Sequence, residues 1–137
     1  MARILVIDDD SDTRELLDHV LKAAGHEVAL APDGREGAKQ YCANPADLVI
    51  TDLYMPGQEG IETIIQLRRQ NPTAAILAIS GKAGAEPMLF VARKLGAIET
   101  LHKPFVAEEL LASVERALRK DKAVLVQPLR PPPSDIP

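Results

Sequence analysis

The sequence predicts an α/β fold in which a parallel β-sheet carries helices on both faces. Short apolar runs alternate with segments whose apolar residues recur every three or four positions, and such alternation is typical of parallel sheets. Several of the runs also end in acid, hydroxyl or lysine, at the strand ends where open α/β sheets place ligands. The length and β-branched content of the runs predict five strands, at residues 4–7, 28–31, 47–52, 74–80 and 98–101.

The first two helices are predicted from their boundaries and their periodicity. Asp10 or Ser11 is expected to cap the first helix, because a short side-chain oxygen can accept from free backbone N–H groups. Gly25 is expected to follow its end. A second helix is predicted over residues 35–43, where an internal glycine, Gly37, weakens the pattern.

The last three helices have clearer boundaries. The third begins at Gly60 and stops at Pro72, since the residue before a proline disfavours the helical conformation. The fourth begins near Pro87 and closes at Gly96. The fifth has an acidic first turn and a basic end, as the helix dipole favours. The charged residues concerned are Glu108, Glu109, Arg116, Arg119 and Lys120.

Composition indicates an ordinary globular protein. The chain has 137 residues and a net charge of -4, which argues against non-specific nucleic-acid binding. The single cysteine, Cys42, cannot form an internal disulfide, so a reducing compartment is the simpler interpretation. The sequence has no long apolar span and no signal-peptide pattern. We therefore expect a cytoplasmic protein with no direct contact to nucleic acid or membrane.

The C-terminal end differs in composition from the rest. We expect one folded domain over residues 1–120 and a Pro-rich tail or linker over 121–137, disordered because Pro-rich polar sequence cannot bury a core. Five of the eleven prolines fall between Pro128 and Pro137. An alternative is that residues 123–126 extend the last helix or pack on a partner.

Three acidic residues at strand ends predict a metal site. Asp8 and Asp9 follow the first strand and Asp52 ends the third, so the sheet should bring them together. Carboxylates about 4 Å apart repel by roughly 4 kcal/mol per pair at an effective dielectric near 20, so a counter-charge is needed. Oxygen ligands alone favour Mg²⁺, Mn²⁺ or Ca²⁺ over zinc.

A hydroxyl and a lysine follow two further strands, and they predict phosphoryl chemistry. Ser80 ends the fourth strand and Lys103 follows the fifth. A cation and a hydroxyl suit the binding of phosphate oxygens, and a carboxylate can act as the nucleophile. Each residue alone would be an ordinary surface or strand-end residue, so the prediction depends on their joint placement.

Four motifs carry a resemblance to a known family. They are residues 4–10 (ILVIDDD), 52–57 (DLYMPG) with Gly60, 79–81 (ISG) and 103–105 (KPF). In this order and spacing the chain, over about residues 2–120, resembles the receiver domain of bacterial two-component response regulators. The resemblance implies a flavodoxin-like, doubly wound (βα)5 fold with strand order 2-1-3-4-5.

The resemblance also implies a function. Asp52 would accept a phosphoryl group from a histidine kinase or a phosphotransfer protein, as in a phosphorelay. Mg²⁺ would be held by Asp8, Asp9, Asp52 and the backbone carbonyl of Tyr54, whereas Asp10 would only cap the helix. The protein would be a switch that promotes its own phosphorylation and dephosphorylation, rather than an enzyme acting on other substrates.

Further residues take roles in the family's pattern. Ser80 would donate a hydrogen bond to the phosphoryl group and Lys103 would pair with it. The peptide before Pro104 would be cis and would aim Lys103 at the site. Ser80 would also act in switching together with the residue at position 100.

The switch position departs from the family. The family usually carries Tyr or Phe where this chain has Thr100, so a switching mechanism that moves an aromatic ring has no ring at this position. We still expect a partner surface on the face of the fourth helix, fifth strand and last helix. It would include Ala92, Lys94, Thr100 and Glu108, and would bind a downstream protein or a second copy of the chain.

Two alternatives remain open at this point. A receiver with a degenerate pocket would act as a phosphorylation-independent interaction module, and weak Mg²⁺ binding would identify it. A phosphohydrolase of the haloacid-dehalogenase type also uses an Asp-x-Asp motif after its first strand, which the Asp8–Asp10 run resembles. That class needs a longer chain and would leave Asp52 without a role.

Overall fold

A five-stranded parallel sheet forms the centre of the molecule, as the alternating pattern predicts. The structure is a computed structural model that describes residues 1–53, 59–81 and 86–126, without the side chains of residues 59, 86, 88 and 121–126. The strands are β1 (Arg3–Ile7), β2 (Glu27–Ala31), β3 (Leu48–Asp52), β4 (Ile76–Ser80) and β5 (Glu99–His102). They pair in the order β2-β1-β3-β4-β5, which confirms the predicted topology.

Five helices alternate with these strands in the described part of the chain. They are α1 (Ser11–Ala23), α2 (Gly34–Ala43), α3 (Glu59–Gln70), α4 (Glu86–Lys94) and α5 (Ala107–Val126). Predicted boundaries agree within about two residues, except that α5 continues past the predicted domain end at 120. The alternative in which residues 123–126 extend the last helix is therefore the one observed. Residues 127–137, to which the prediction of a disordered tail also applied, lie outside the described residues.

Side-chain caps fix the starts of the first two helices. Asp10 is the N-cap of α1, and its carboxylate accepts from the backbone N–H of Asp12 at 3.2 Å and from the Thr13 hydroxyl at 2.8 Å. Asp33 caps α2 by accepting from the N–H of Glu36 at 2.8 Å. The prediction that Asp10 caps rather than binds metal is consistent with these bonds.

The core has two layers, one on each face of the sheet, because successive strand residues point to opposite faces. One layer packs α2, α3 and α4 against the sheet and includes Leu5, Ile7, Val49, Tyr41, Ile64, Leu67 and Leu89. The other packs α1 and α5 and includes Ile4, Val6, Ile50, Leu17, Leu21, Leu110 and Val114. No helix among the described residues is long and apolar enough to cross a membrane.

Two predictions about individual side chains are wrong. Ala92 is buried in the layer beneath α4, so it cannot belong to the predicted partner surface, whereas Lys94 and Glu108 are exposed. A lone cysteine in a helix next to the sheet is expected to be a half-buried packing residue, but Cys42 is exposed on α2. Both positions lie on short helices, whose few apolar residues do not show from the sequence which side of the helix faces the sheet.

Gly60 connects the packing of α3 to the strand that ends at Asp52. A Cβ atom at position 60 would overlap the backbone of Leu53, at its Cα, C and O atoms. Leu53 directly follows Asp52 and is itself buried. The glycine therefore lets α3 approach the chain immediately after the third strand.

We expect Gly60→Ala to destabilise the protein by about 1–3 kcal/mol, because the overlapping atoms are backbone and cannot rotate away. Helix propensity alone predicts the opposite sign, since alanine exceeds glycine by about 1 kcal/mol in helices. Urea unfolding of this variant, with exposed Glu62→Ala on the same helix as control, measures the difference. A variant as stable as wild type would contradict the packing argument.

Candidate metal and phosphoryl site

The sheet brings the predicted polar residues to one edge. Asp8 follows β1, Asp52 ends β3, Ser80 ends β4 and Lys103 follows β5. The strands are in parallel register, with Ile7 beside Thr51 on β1 and β3. Because all strands run the same way, their carboxyl ends share an edge, so the four residues lie at the same edge of the sheet.

Three carboxylates form the centre of this site. One oxygen from each of Asp8, Asp9 and Asp52 lies within 4.8 Å of the others. Asp8 is 1% exposed and Asp52 is 6% exposed, whereas Asp9 is open to solvent. Buried carboxylates at this spacing repel strongly, so the site favours a cation among them.

Lys103 provides a positive charge in the cluster. Its Nζ lies 3.2 Å from Asp8 Oδ2 and 3.1 Å from Asp52 Oδ2. The peptide between Lys103 and Pro104 is cis, as the resemblance implied. Gly81 leaves space for the lysine, since a Cβ there would come within 2.8 Å of the Lys103 Cβ.

Burial and neighbouring charges shift the protonation of two of these groups. Burial raises the pKa of Asp8 to about 6, with a smaller upward contribution from the Asp52 charge and opposing contributions from the Asp10 N–H and Lys103. Burial alone would lower the pKa of Lys103, but the attraction of Asp52 and Asp8 together outweighs it and raises that pKa. The lysine therefore stays charged at neutral pH.

Ser80 is a buried polar residue at the end of β4. Its Oγ is fully buried and has no hydrogen-bond partner among the described residues. Its backbone carbonyl accepts from the N–H of Lys103 at 2.9 Å, so the two residues are neighbours across the ends of β4 and β5. An unmet buried hydroxyl costs about 1–3 kcal/mol, which a ligand oxygen would recover.

Sequence reasoning missed one residue at this site. Arg14, half-buried in the first turns of α1, donates from Nη1 to the backbone carbonyl of Asp8 at 2.6 Å. A signal was present, because a cation near a helix N-terminus opposes the helix dipole and needs a local partner. Periodicity alone treats such a residue as solvent-exposed.

Of two further residues predicted to act at the site, the structure describes Thr100 but not Tyr54. Thr100 is half-buried on β5, and its hydroxyl accepts from Arg93 Nη1 of α4 at 3.2 Å. Tyr54, whose carbonyl was predicted to bind the metal, lies outside the described residues. The roles of Ser80 and Thr100 in switching, and the ligand roles of the acids, stay predictions.

Comparison with known proteins settles the family. A family model described as the response regulator receiver domain matches residues 4–115. The chain belongs to the response regulator receiver family. This confirms the predicted family and, with the strand order, the flavodoxin-like fold, and it places the chain among proteins of two-component signalling.

The relatives of this receiver include full-length regulators. The C4-dicarboxylate transport transcriptional regulatory protein DctD of Pseudomonas aeruginosa is 37% identical over 124 residues, which are 90% of this chain and 27% of that protein. The transcriptional regulatory protein PrrA of Mycobacterium tuberculosis is 34% identical over 118 residues, 86% of this chain and 50% of that protein. The chain thus spans half or less of the length of these two relatives.

A solved structure is similar over nearly its whole length. The response regulator receiver domain protein from Clostridium thermocellum superimposes with a TM-score of 0.83 at 32% identity. The match covers 90% of this chain and 99% of that one. The receiver fold therefore accounts for most of the chain described above.

The raised pKa of Asp8 predicts a pH-dependent stability in metal-free solution. The folded state binds the Asp8 proton more tightly than the unfolded chain does, so ionisation of Asp8 opposes folding. Its cost is absent below about pH 4, grows as the pH rises towards about 6 and is constant above. A shift from 3.8 to about 6 corresponds to on the order of 2–3 kcal/mol.

We therefore expect Asp8→Asn to stabilise the receiver in EDTA at pH 7 and to have much less effect at pH 4. Urea unfolding at both pH values, with exposed Glu62→Gln as control, measures the change. A difference between Asp8→Asn and wild type that is independent of pH would contradict the assigned origin of the shift.

Proposed function

We propose that this receiver is a phosphorylation-dependent switch in which Asp52 accepts a phosphoryl group from the phosphohistidine of a histidine kinase or phosphotransfer protein. The observation that carries the proposal is the buried Asp52 carboxylate, which lies beside two further carboxylates and within 3.1 Å of the Lys103 ammonium. Acids that surround a nucleophile, with a lysine beside them, suit phosphoryl transfer because the reaction needs charge neutralisation and alignment.

The residues present fit a hard divalent cation, and we propose Mg²⁺. The ligands would be Asp8, Asp9 and Asp52, with the Tyr54 carbonyl as a further candidate. Their donor atoms are all oxygens, which suits Mg²⁺, and two of the carboxylates are buried with a single lysine contacting both. When bound, the ion would supply positive charge to the phosphoryl oxygens.

The chain's own residues would carry out the transfer. An oxygen of Asp52 attacks phosphorus, the bond from phosphorus to the donor's imidazole nitrogen breaks, and its electron pair stays on that nitrogen. Lys103, held in its charged form by Asp52 and Asp8, would bind a phosphoryl oxygen and offset the growing negative charge. Partial burial of this edge limits the access of water to Asp52.

We propose that the output surface lies on the face formed by α4, β5 and α5. Ser80 would turn its unpartnered hydroxyl to the phosphoryl group, and the change would reach β5, where Arg93 links Thr100 to α4. Phe90 and Val91 of α4 are exposed and offer apolar contact area on this face. A downstream protein or a second copy of the chain would bind there.

Neither alternative function is favoured. The phosphohydrolase hypothesis is not supported, because the chain belongs to the receiver family. The interaction-module reading predicts a degenerate pocket, whereas the acids and the lysine converge. A cytoplasmic location and the absence of direct nucleic-acid contact stay predictions, although the relatives above are named transcriptional regulators.

We expect wild type to gain the mass of one phosphoryl group when it is incubated with Mg²⁺ and acetyl phosphate, and Asp52→Asn to gain none. Asp47→Asn is the matched control, because Asp47 precedes β3 at the opposite edge of the sheet. Intact-protein mass spectrometry measures the gain, and EDTA should abolish it. Phosphorylation of Asp52→Asn would refute the assignment, and wild type without Mg²⁺ binding would favour the interaction module.

Ser80→Ala should leave the unphosphorylated protein as stable as wild type or slightly more stable, by up to about 1 kcal/mol, because it removes a buried hydroxyl that has no hydrogen-bond partner within the described residues. The rise in Tm on phosphorylation should be smaller in this variant. Ser113→Ala is the control, since Ser113 is equally buried but accepts from Arg116 Nη2 at 3.1 Å. A Ser80→Ala protein with an unchanged Tm rise would show that the hydroxyl does not meet the phosphoryl group.

A further inference from the structure

We propose that Arg14 is a positioning residue for the metal site, and that it sets the preference of the site for Mg²⁺ over Ca²⁺. The inference rests on the proposed function and deepens it. It starts from the shortest hydrogen bond of the β1–α1 turn, from Arg14 Nη1 to the backbone carbonyl of Asp8 at 2.6 Å.

This bond fixes the peptide that joins two of the acids. The carbonyl of Asp8 lies in one rigid plane with the N–H of Asp9, since the peptide bond between them does not rotate. Holding that oxygen therefore limits rotation on both sides of the plane. The contact to Arg14 thus restrains the backbone from which both the Asp8 and the Asp9 side chains project.

Asp9 depends on this contact more than Asp8 does. Asp8 is held on its own side by its N–H to the Ala31 carbonyl at 3.1 Å, and its carboxylate accepts from the N–H of Asp10 at 2.9 Å and contacts Lys103. Asp9 is exposed, so packing contributes little to its orientation. The peptide plane held by Arg14 is thus a main restraint on the Asp9 carboxylate.

The position of Arg14 is itself unusual for a cation. It is the fourth residue of α1, where the helix dipole disfavours positive charge. The acids of the turn and the Asp8 carbonyl offset this cost.

Two possible effects of Arg14, its positive charge and its positioning of the carboxylates, predict opposite changes in metal affinity when the residue is replaced. A nearby positive charge weakens the binding of any divalent cation, so its removal alone should tighten Mg²⁺ and Ca²⁺ equally. Loss of a fixed carboxylate geometry should weaken Mg²⁺ more, because Mg²⁺ demands near-ideal octahedral geometry whereas Ca²⁺ tolerates irregular ligands. The ratio of the two affinities separates these effects from each other and from general destabilisation.

The test is an NMR titration of the ¹⁵N-labelled protein with MgCl₂ or CaCl₂, following the Asp10 amide that donates to Asp8. Arg14→Met should weaken Mg²⁺ binding by about ten-fold, as loss of outer partners of metal ligands typically does, and weaken Ca²⁺ binding less. Arg14→Lys should fall between Met and wild type, because its ammonium keeps the charge and can donate to the same carbonyl. Arg69→Met, an exposed arginine of α3, should match wild type.

The proposal is overturned if Arg14→Met leaves the Mg²⁺ to Ca²⁺ affinity ratio unchanged, including the case in which both ions bind more tightly by one factor. Tm in EDTA shows whether each variant is folded. Should Arg14→Met not fold, Arg14→Lys decides, and a ratio equal to that of wild type overturns the proposal. Failure of wild type to bind Mg²⁺ would instead refute the metal site of the proposed function.

Discussion

The repulsion between two buried carboxylates is the constraint on which this receiver's site depends. Asp8 follows β1 and Asp52 ends the adjacent parallel strand β3, so the pairing of the two strands keeps both buried carboxylates close together. Lys103 relieves part of the repulsion by contacting both. The absence of a side chain at Gly81 leaves space for that lysine, and a cation would offset the remaining negative charge. The remaining repulsion is what the proposed metal ion would relieve.

Much of the fold and the site could be predicted from the sequence because parallel strands align their ends. Short apolar runs rich in β-branched residues located the strands, and the acids, Ser80 and Lys103 had to share an edge once the strands were parallel. The family resemblance carried by the four motifs then implied the strand order. Gly60 was recognised as part of a motif, but the reason for it, the close approach to the Leu53 backbone, needed coordinates.

Other features could not be predicted, since they depend on the directions of side chains in space. Arg14 reaches back over six residues to a backbone oxygen, and no residue pattern marks a backbone acceptor. The burial of Ala92 follows from which side of α4 faces the sheet, and a helix of nine residues gives too few positions to decide that. The unpartnered state of Ser80 is a property of its whole surroundings, so it too required the structure.

The Ser80 hydroxyl, which has no hydrogen-bond partner within the described residues, would also bear on how far the proposed switch could shift between a resting and a signalling conformation. A conformation in which that hydroxyl finds a partner gains free energy that the resting conformation forgoes. Each 1.4 kcal/mol changes the ratio of two populations about ten-fold, and couplings between protein sites are typically about 1–3 kcal/mol. The free energy of pairing one buried serine hydroxyl, about 1–3 kcal/mol, is therefore comparable to the whole free energy by which such a switch is usually biased.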